Sequence, residues 1–304
     1  MKKYLYGLIF LNLFISCSSS SPEGKGGGTP LPTSPTLPTV PLTDTEAMDQ
    51  VQKDAIKYFW EYAETNSKLA RERYLTDDPG FEANVITTGG SGFGLMTLVV
   101  GVERGFVSRT EAVSRLTTAL TFLENADRFH GAWSHWINGT TGKVIPFGTK
   151  DNGGDIVETS FLCQGLLTVR EYFKNGNTTE KALAAKADDL WKGVEWDWYT
   201  KGENAMYWHW SPNYGWEMNF KLEGYNECLI TYVLGAASPT HPIPAAAYHE
   251  AWARNGAIVN GSSQYGLPVV LNYNGATGNV GPLFWSQYSY LGMDPRGLTD
   301  VYAN

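Results

Sequence analysis

Between Asp151 and Phe173 the chain reads DNGGDIVETSFLCQGLLTVREYF. A Gly-Gly turn opens a helix whose first turn carries Asp155 and Glu158, with Asp151 just upstream. Beyond that turn Phe161, Leu162, Leu166, Leu167, Val169, Tyr172 and Phe173 leave no polar face. A helix that is apolar all round must be covered by protein on every side. Its acidic end must then face a cavity or be paired, because a bare buried carboxylate is too costly. The stretch is expected to be a buried scaffold helix presenting acids to a pocket.

Helices of this inner type alternate with amphipathic ones. The pattern predicts outer helices over 44–65, 109–126, 178–196 and 244–254, and inner helices over 92–104, 155–173 and 224–237. Capping-box pairs start three of the outer helices: Thr43 with Glu46, Ser108 with Glu111, and Asn177 with Glu180. Such alternation suits helical hairpins stacked into an inner ring within an outer ring, an all-α (α/α)6 toroid. An irregular helical bundle is the competing architecture. In the toroid the inner helices run the same way, so their Gly-rich or acidic N-termini gather at one cleft end. Residues 130–148 read as a hairpin or long loop there, with turns at Asn138-Gly139 and Thr141-Gly142. Seven helices do not close a six-hairpin ring, and no complete helical pair follows Gly266, so the toroid is expected to be incomplete in this chain.

Composition bounds the rest. The 304 residues carry a formal charge of −8, which is not the basic footprint of a nucleic-acid binder. Residues 1–16 have the form of an export signal, Lys2 and Lys3 followed by an apolar run. That run ends at Ser16-Cys17, which is read as a lipidation site at Cys17; a plain secretory signal is the alternative. Residues 17–43, rich in Ser, Gly, Pro and Thr, are read as a tether, and 44–304 as the folded domain. The expected product is a monomer in the periplasm or lipid-anchored at the outer membrane. Cys163 and Cys228 lie in apolar helical segments and read as buried free thiols, although an exported pair can also form a disulfide.

The acids admit two readings. Asp155 suits an N-cap and Glu158 completes a capping box, so structure alone accounts for much of that pair. Glu223 and Glu227 are four apart at the start of the next inner helix, on one face. Glu227 is followed by Cys228, Leu229 and Ile230, where an unpaired acid is hard to explain by capping. Two acids with separated pKa values are what glycosidic bond cleavage requires. Trp133, His135 and Trp136 precede one inner helix, and Tyr207, Trp208, Trp210, Tyr214 and Trp216 precede the next. Aromatic faces in a polar cleft suit sugar rings, although many of these side chains are expected only to pack the loops. The five histidines show no metal-ligand spacing, and no phosphate loop or serine nucleophile elbow is present.

Four segments, ITTGGSGFGLM, DNGGDIVETSFLCQGLL, YWHWSPNYGWEMN and LEGYNECLI, resemble the glucoamylase-like proteins of glycoside hydrolase family 144, the endo-β-1,2-glucanases. The likeness runs from about Asp49 to the end. It implies an (α/α)6 toroid, a β-1,2-glucan or sophorose-type substrate, an inverting mechanism and no metal or other cofactor. Carried over by motif, the family's cleft acids fall on Asp151, Asp155, Glu158 and Glu227, with Glu227 the candidate general acid. All four are catalytic candidates; Asp155 and Glu158, partly explained by capping, are expected to position substrate or support the site. Trp133, His135, Trp136, Tyr207, Trp208, Trp210, Trp216 and Glu223 are the candidate substrate-binding residues. The family's further inner helices, which supply another cleft acid as the water-activating base, would lie beyond Asn304. A non-catalytic glycan-binding lipoprotein, or a lyase or phosphorylase on the same toroid, are the alternative functions.

Overall fold

The structure is a computed structural model, and it describes residues 42–271 and 281–302. The export signal, Cys17 and the tether up to residue 41 lie outside the described residues. The described residues from Glu46 onward form one compact unit.

Helix α1 (Asp44–Trp60) precedes a short strand β1 (Val85–Thr87), which runs directly into α2 (Thr88–Glu103). Next come α3 (Arg109–Asn125), the hairpin β2 (Trp136–Asn138) and β3 (Val144–Ile145), and β4 (Gly154–Asp155), which leads into α4 (Ile156–Phe173). Helix α5 (Thr178–Lys192), β5 (His209–Trp210), α6 (Leu229–Ala237) and α7 (Ala245–Ala247) follow, α7 continuing as a π-helical turn over Tyr248–Trp252. A second hairpin, β6 (Val259–Gln264) and β7 (Leu267–Leu271), comes after it. Among the described residues the fold is mostly helical, with seven α-helices and three small sheets.

Helix α4 is the centre of the packing. Ile156, Leu162, Leu166, Val169 and Phe173 have no exposed surface. Burying each such side chain stabilises the fold by about 1.5–3 kcal/mol relative to leaving it in water. Helix α2 lies against α4 in parallel, because Gly92 and Gly165 let the two backbones touch. A Cβ on Gly92 would overlap the Phe161 carbonyl, and one on Gly165 would overlap the Gly92 carbonyl. Helix α5 covers another side of α4, α3 packs on α5, and α6 meets α4 where Ser160 Oγ lies 2.9 Å from Thr231 Oγ1. The amphipathic α3 buries Ala112, Val113, Leu116, Leu120 and Leu123 as one stripe, as its spacing predicts.

Two inner helices start elsewhere than their sequence patterns suggest. Helix α2 begins four residues early, at Thr88, since its glycines are helical and serve the contact with α4. Helix α6 begins at Leu229 rather than at 224, since Gly224 has φ +70° and the Asn226 side chain accepts from the Cys228 amide. Glu223 and Glu227 therefore lie in the preceding loop, not on one helix face, which corrects the expected pairing. The hairpin expected within 130–148 is present: Asn138 Oδ1 accepts from the Thr140 and Thr141 amides at its turn. Its β2 also pairs with β1, Val85 opposite Asn138 and Thr87 opposite Trp136. Strand β4 pairs with β5, Gly154 opposite Trp210 and Asp155 opposite His209. Both sheets bring loop residues onto the N-terminal ends of α2 and α4. Cys163 and Cys228 are free and buried, as read.

Candidate active site

Asp155 is the N-cap of α4 and is fully buried. Its Oδ1 accepts from the Val157 and Glu158 amides, both at 2.9 Å. Its Oδ2 accepts from Trp208 Nε1 at 2.8 Å and lies 2.9 Å from His135 Nδ1. Four donors thus converge on one carboxylate, two of them from loops distant in sequence. Burial alone would lower the His135 pKa, but the hydrogen bond to Asp155 and the charges of Asp155, Glu158 and Asp151 raise it to about 9. His135 is an imidazolium at neutral pH, stacked on Phe147 with centroids 4.0 Å apart.

Asp151 is held by a turn in which the Phe147 amide donates to the Asp151 carbonyl at 2.9 Å. Its carboxyl is buried 3.1 Å from His209 Nε2 and 3.8 Å from His135 Nδ1. His209 Nε2 accepts from the Gly153 amide, so it has no proton to offer Asp151, and neither Asp151 oxygen has a donor. Burial, and then the charge of Asp155, raise the Asp151 pKa to about 7. Glu158 Oε2 accepts from the Gly89 amide at 2.7 Å and from Thr87 Oγ1 at 3.4 Å. Burial raises its pKa to about 7, with Asp155 adding and His135 opposing. The first turns of α2 and α4 thereby meet at one carboxylate.

Glu227 approaches from the loop before α6. Its Oε2 is buried with no hydrogen-bond partner, and burial, with the charge of Asp155 adding, raises its pKa. The Tyr288 hydroxyl, raised by burial, also feels the charges of Glu158 and Glu227. Ser289 ties this region down: its Oγ donates to the Glu227 carbonyl at 2.7 Å and accepts from the Ile230 amide at 3.1 Å. Asp151, Asp155 and Glu158 all act on His135, and Glu227 feels the charge of Asp155 from the loop before α6.

The predicted aromatics separate into three groups. Trp136 and Trp208 stand beside the acids with His135, Trp136 packing edge-on to Phe147 at 4.9 Å. Trp133 is a correction: it has no exposed surface, donates to the Leu123 carbonyl and packs under the Arg128 guanidinium, so its ring is core. Tyr207 is also buried, its hydroxyl donating to Glu203 at 2.6 Å. Glu223 acts on the Tyr207 and Tyr232 hydroxyls rather than entering the acid cluster. Trp210 and Trp216 belong to a separate aromatic cluster around Trp198. Sequence reading missed His209, Phe147, Thr87, Gly89 and Tyr288. The Trp-His-Trp alternation hinted at His209; Tyr288 follows no helical pattern and left no trace.

His135, Asp151 and Asp155 place three ligand atoms within 4.8 Å of one another, a spacing that suits a cation. Asp155, however, is already saturated by four donors, and His135 Nδ1 is committed to it. The donor set fits a proton held between imidazole and carboxylates better than an ion.

This helical domain, with acids at the start of α4 beside aromatic loops, is similar to known proteins over part of their length. Residues 219–304 match the family described as "Putative glucoamylase". The exo-β-1,2-glucooligosaccharide sophorohydrolase of Parabacteroides distasonis is 46% identical over 286 residues, covering 88% of this chain and 38% of that protein. The endo-β-1,2-glucanase of Chitinophaga pinensis, solved with sophorotriose and glucose, superposes with a TM-score of 0.84 at 58% identity. That match covers 86% of this chain and 63% of the other. A β-1,2-glucanase structure from Parabacteroides distasonis gives a TM-score of 0.80 at 46% identity, covering 88% and 40%. The chain thus spans 38% to 63% of the lengths of these relatives.

Proposed function

We propose that the protein hydrolyses β-1,2-glucan or its oligosaccharides by an inverting acid/base mechanism, with Glu227 as the general acid. The observation that carries this is the Glu227 carboxyl, whose Oε2 is buried without a partner and whose pKa is raised by burial and by the charge of Asp155. A general acid must keep its proton near neutral pH until the leaving oxygen takes it. Asp155 and His135 anchor the cluster, and Asp151 and Glu158, each poised near neutrality, orient the sugar or its attacking water. The names of the relatives support the linkage. The architecture fits an (α/α)6 toroid with α2, α4 and α6 as inner helices, to which further helices would add the water-activating base. Export and lipid anchoring at Cys17 complete the proposal.

The full-length protein incubated with linear β-1,2-glucan is expected to release sophoro-oligosaccharides whose new reducing ends first appear as the α anomer by proton NMR. Release from a different glucan alone would overturn the substrate, and a β anomer the inversion.

A further inference from the structure

The loops that frame the acids carry a second aromatic assembly. Trp198 follows α5, and the Asp197 side chain accepts from its amide at 3.0 Å. The indole is 39% exposed, which is high for so large an apolar ring. One face is covered by the His130 imidazole, stacked at 3.6 Å and 13°. Trp210 meets it edge-on at 6.1 Å and Trp216 lies tilted at 6.3 Å. Trp216 is itself wedged against Tyr199 and Tyr207, so the assembly is rigid.

Polar groups surround it in fixed positions. Glu195 Oε2 lies 3.1 Å from His130 Nδ1, and Asp197 Oδ1 lies 3.2 Å from His241 Nδ1. Lys201 Nζ donates to Asn219 at 2.6 Å and sits 5.9 Å from the Trp216 ring centre. Glu195, Asp197, Trp198, Lys201, Trp216 and His241 border a depression of about 560 Å³. That volume falls within the usual range of small-molecule sites, about 300–1,000 Å³. No side-chain hydrogen bond, ion pair or ring contact joins this assembly to Asp151, Asp155, Glu158 or Glu227 among the described residues.

We propose that the Trp198 surface is a second glucan-binding site, separate from the acid cluster, which holds a distal part of the polymer. An exposed, pre-ordered indole offers a flat apolar face to the axial C–H groups of a pyranose ring. Carboxylates and an ammonium at its edge accept from and donate to the equatorial hydroxyls. An unmixed apolar patch would suit a protein partner better; a single ring edged by paired charges suits a sugar. A site that contributes affinity through a second point of attachment acts on long chains and leaves short ones untouched. The choice of a glucan rests on the proposed function.

The test uses full-length protein carrying Glu227→Gln, which slows turnover, with and without Trp198→Ala. Retardation in native gels containing β-1,2-glucan or β-1,3-glucan reads polymer binding, and calorimetry with sophorotriose reads the cleft. Trp198→Ala is expected to weaken retardation at least fivefold and to leave sophorotriose affinity unchanged. The rim variant Asp197→Asn, which keeps the ring, should weaken retardation in the same direction. Unchanged retardation overturns the proposal, and so does an equal loss of polymer and sophorotriose binding, which would make Trp198 part of the cleft. Trp198-dependent retardation by β-1,3-glucan alone would uphold the surface while refuting the β-1,2 reading of the cleft.

Discussion

At the scale of single residues, the chemistry rests on one saturated carboxylate and the groups it leaves unsatisfied. Asp155 takes four donors, and this order fixes His135 as a cation between acids. The stability consequence has a definite sign. The His135 pKa rises from 6.5 in the unfolded chain to about 9 in the fold. The folded state therefore holds the extra proton between those values, and stability falls as pH rises through that window. Asp151 and Glu158, raised to about 7, act in the same direction at lower pH, between about 4 and 7. The melting temperature should fall steadily from pH 5 to pH 9, and His135→Gln should flatten the portion above pH 6.5, as followed by circular dichroism. An unchanged slope in that variant would show that another group titrates there. In the sequence Asp155 reads as much like an ordinary cap as like a site residue; in the fold it caps α4 and also takes two donors from distant loops. The two donors that decide the matter, His135 and Trp208, lie 20 and 53 positions away, and no local pattern contains them. Trp133 was misread for the converse reason: its neighbour His135 faces the acids, yet the indole turns inward to the Leu123 carbonyl.

At the scale of elements, helix type was the most legible feature and helix start the least. The apolar circumference of α4 and the stripe of α3 follow directly from residue spacing. The starts of α2 and α6 depend on tertiary demands instead, a glycine contact in one and a left-handed Gly224 in the other. The parallel approach of α2 and α4 makes a specific claim about Gly92. Gly92→Val should destabilise the protein by about 3 kcal/mol or more, since the blocking atoms are backbone and cannot swing away. Urea titration would read this as a lower midpoint, and a midpoint within error of wild type would refute the close crossing. The outer helices should be more tolerant. Asn177 and Glu180 form a complete capping box at the start of α5. Asn177→Ala should cost about 1 kcal/mol, visible as a modestly lower melting temperature with turnover unchanged.

At the scale of the whole molecule, a helical scaffold presents acids at the start of α4 and in the loops before α4 and α6. The alternation of apolar and amphipathic helices conveys that plan, and the four motifs support the proposed substrate class. The short strands that follow His135 and carry His209 and Trp210 into place are too brief to leave a periodic trace. The segment around Tyr288, whose Ser289 donates to the Glu227 carbonyl, consists of 3₁₀ turns with no recognisable pattern. As the proposed general acid, Glu227 delivers a proton to the departing glycosidic oxygen, and paired kinetics separate that role from a structural one. Turnover of β-1,2-glucan by Glu227→Gln should fall at least ~10²-fold. Turnover of an aryl β-sophoroside, whose phenolate departs without a proton, should fall far less. Near-normal turnover of the glucan, or an equal loss on both substrates, would contradict Glu227 as the acid.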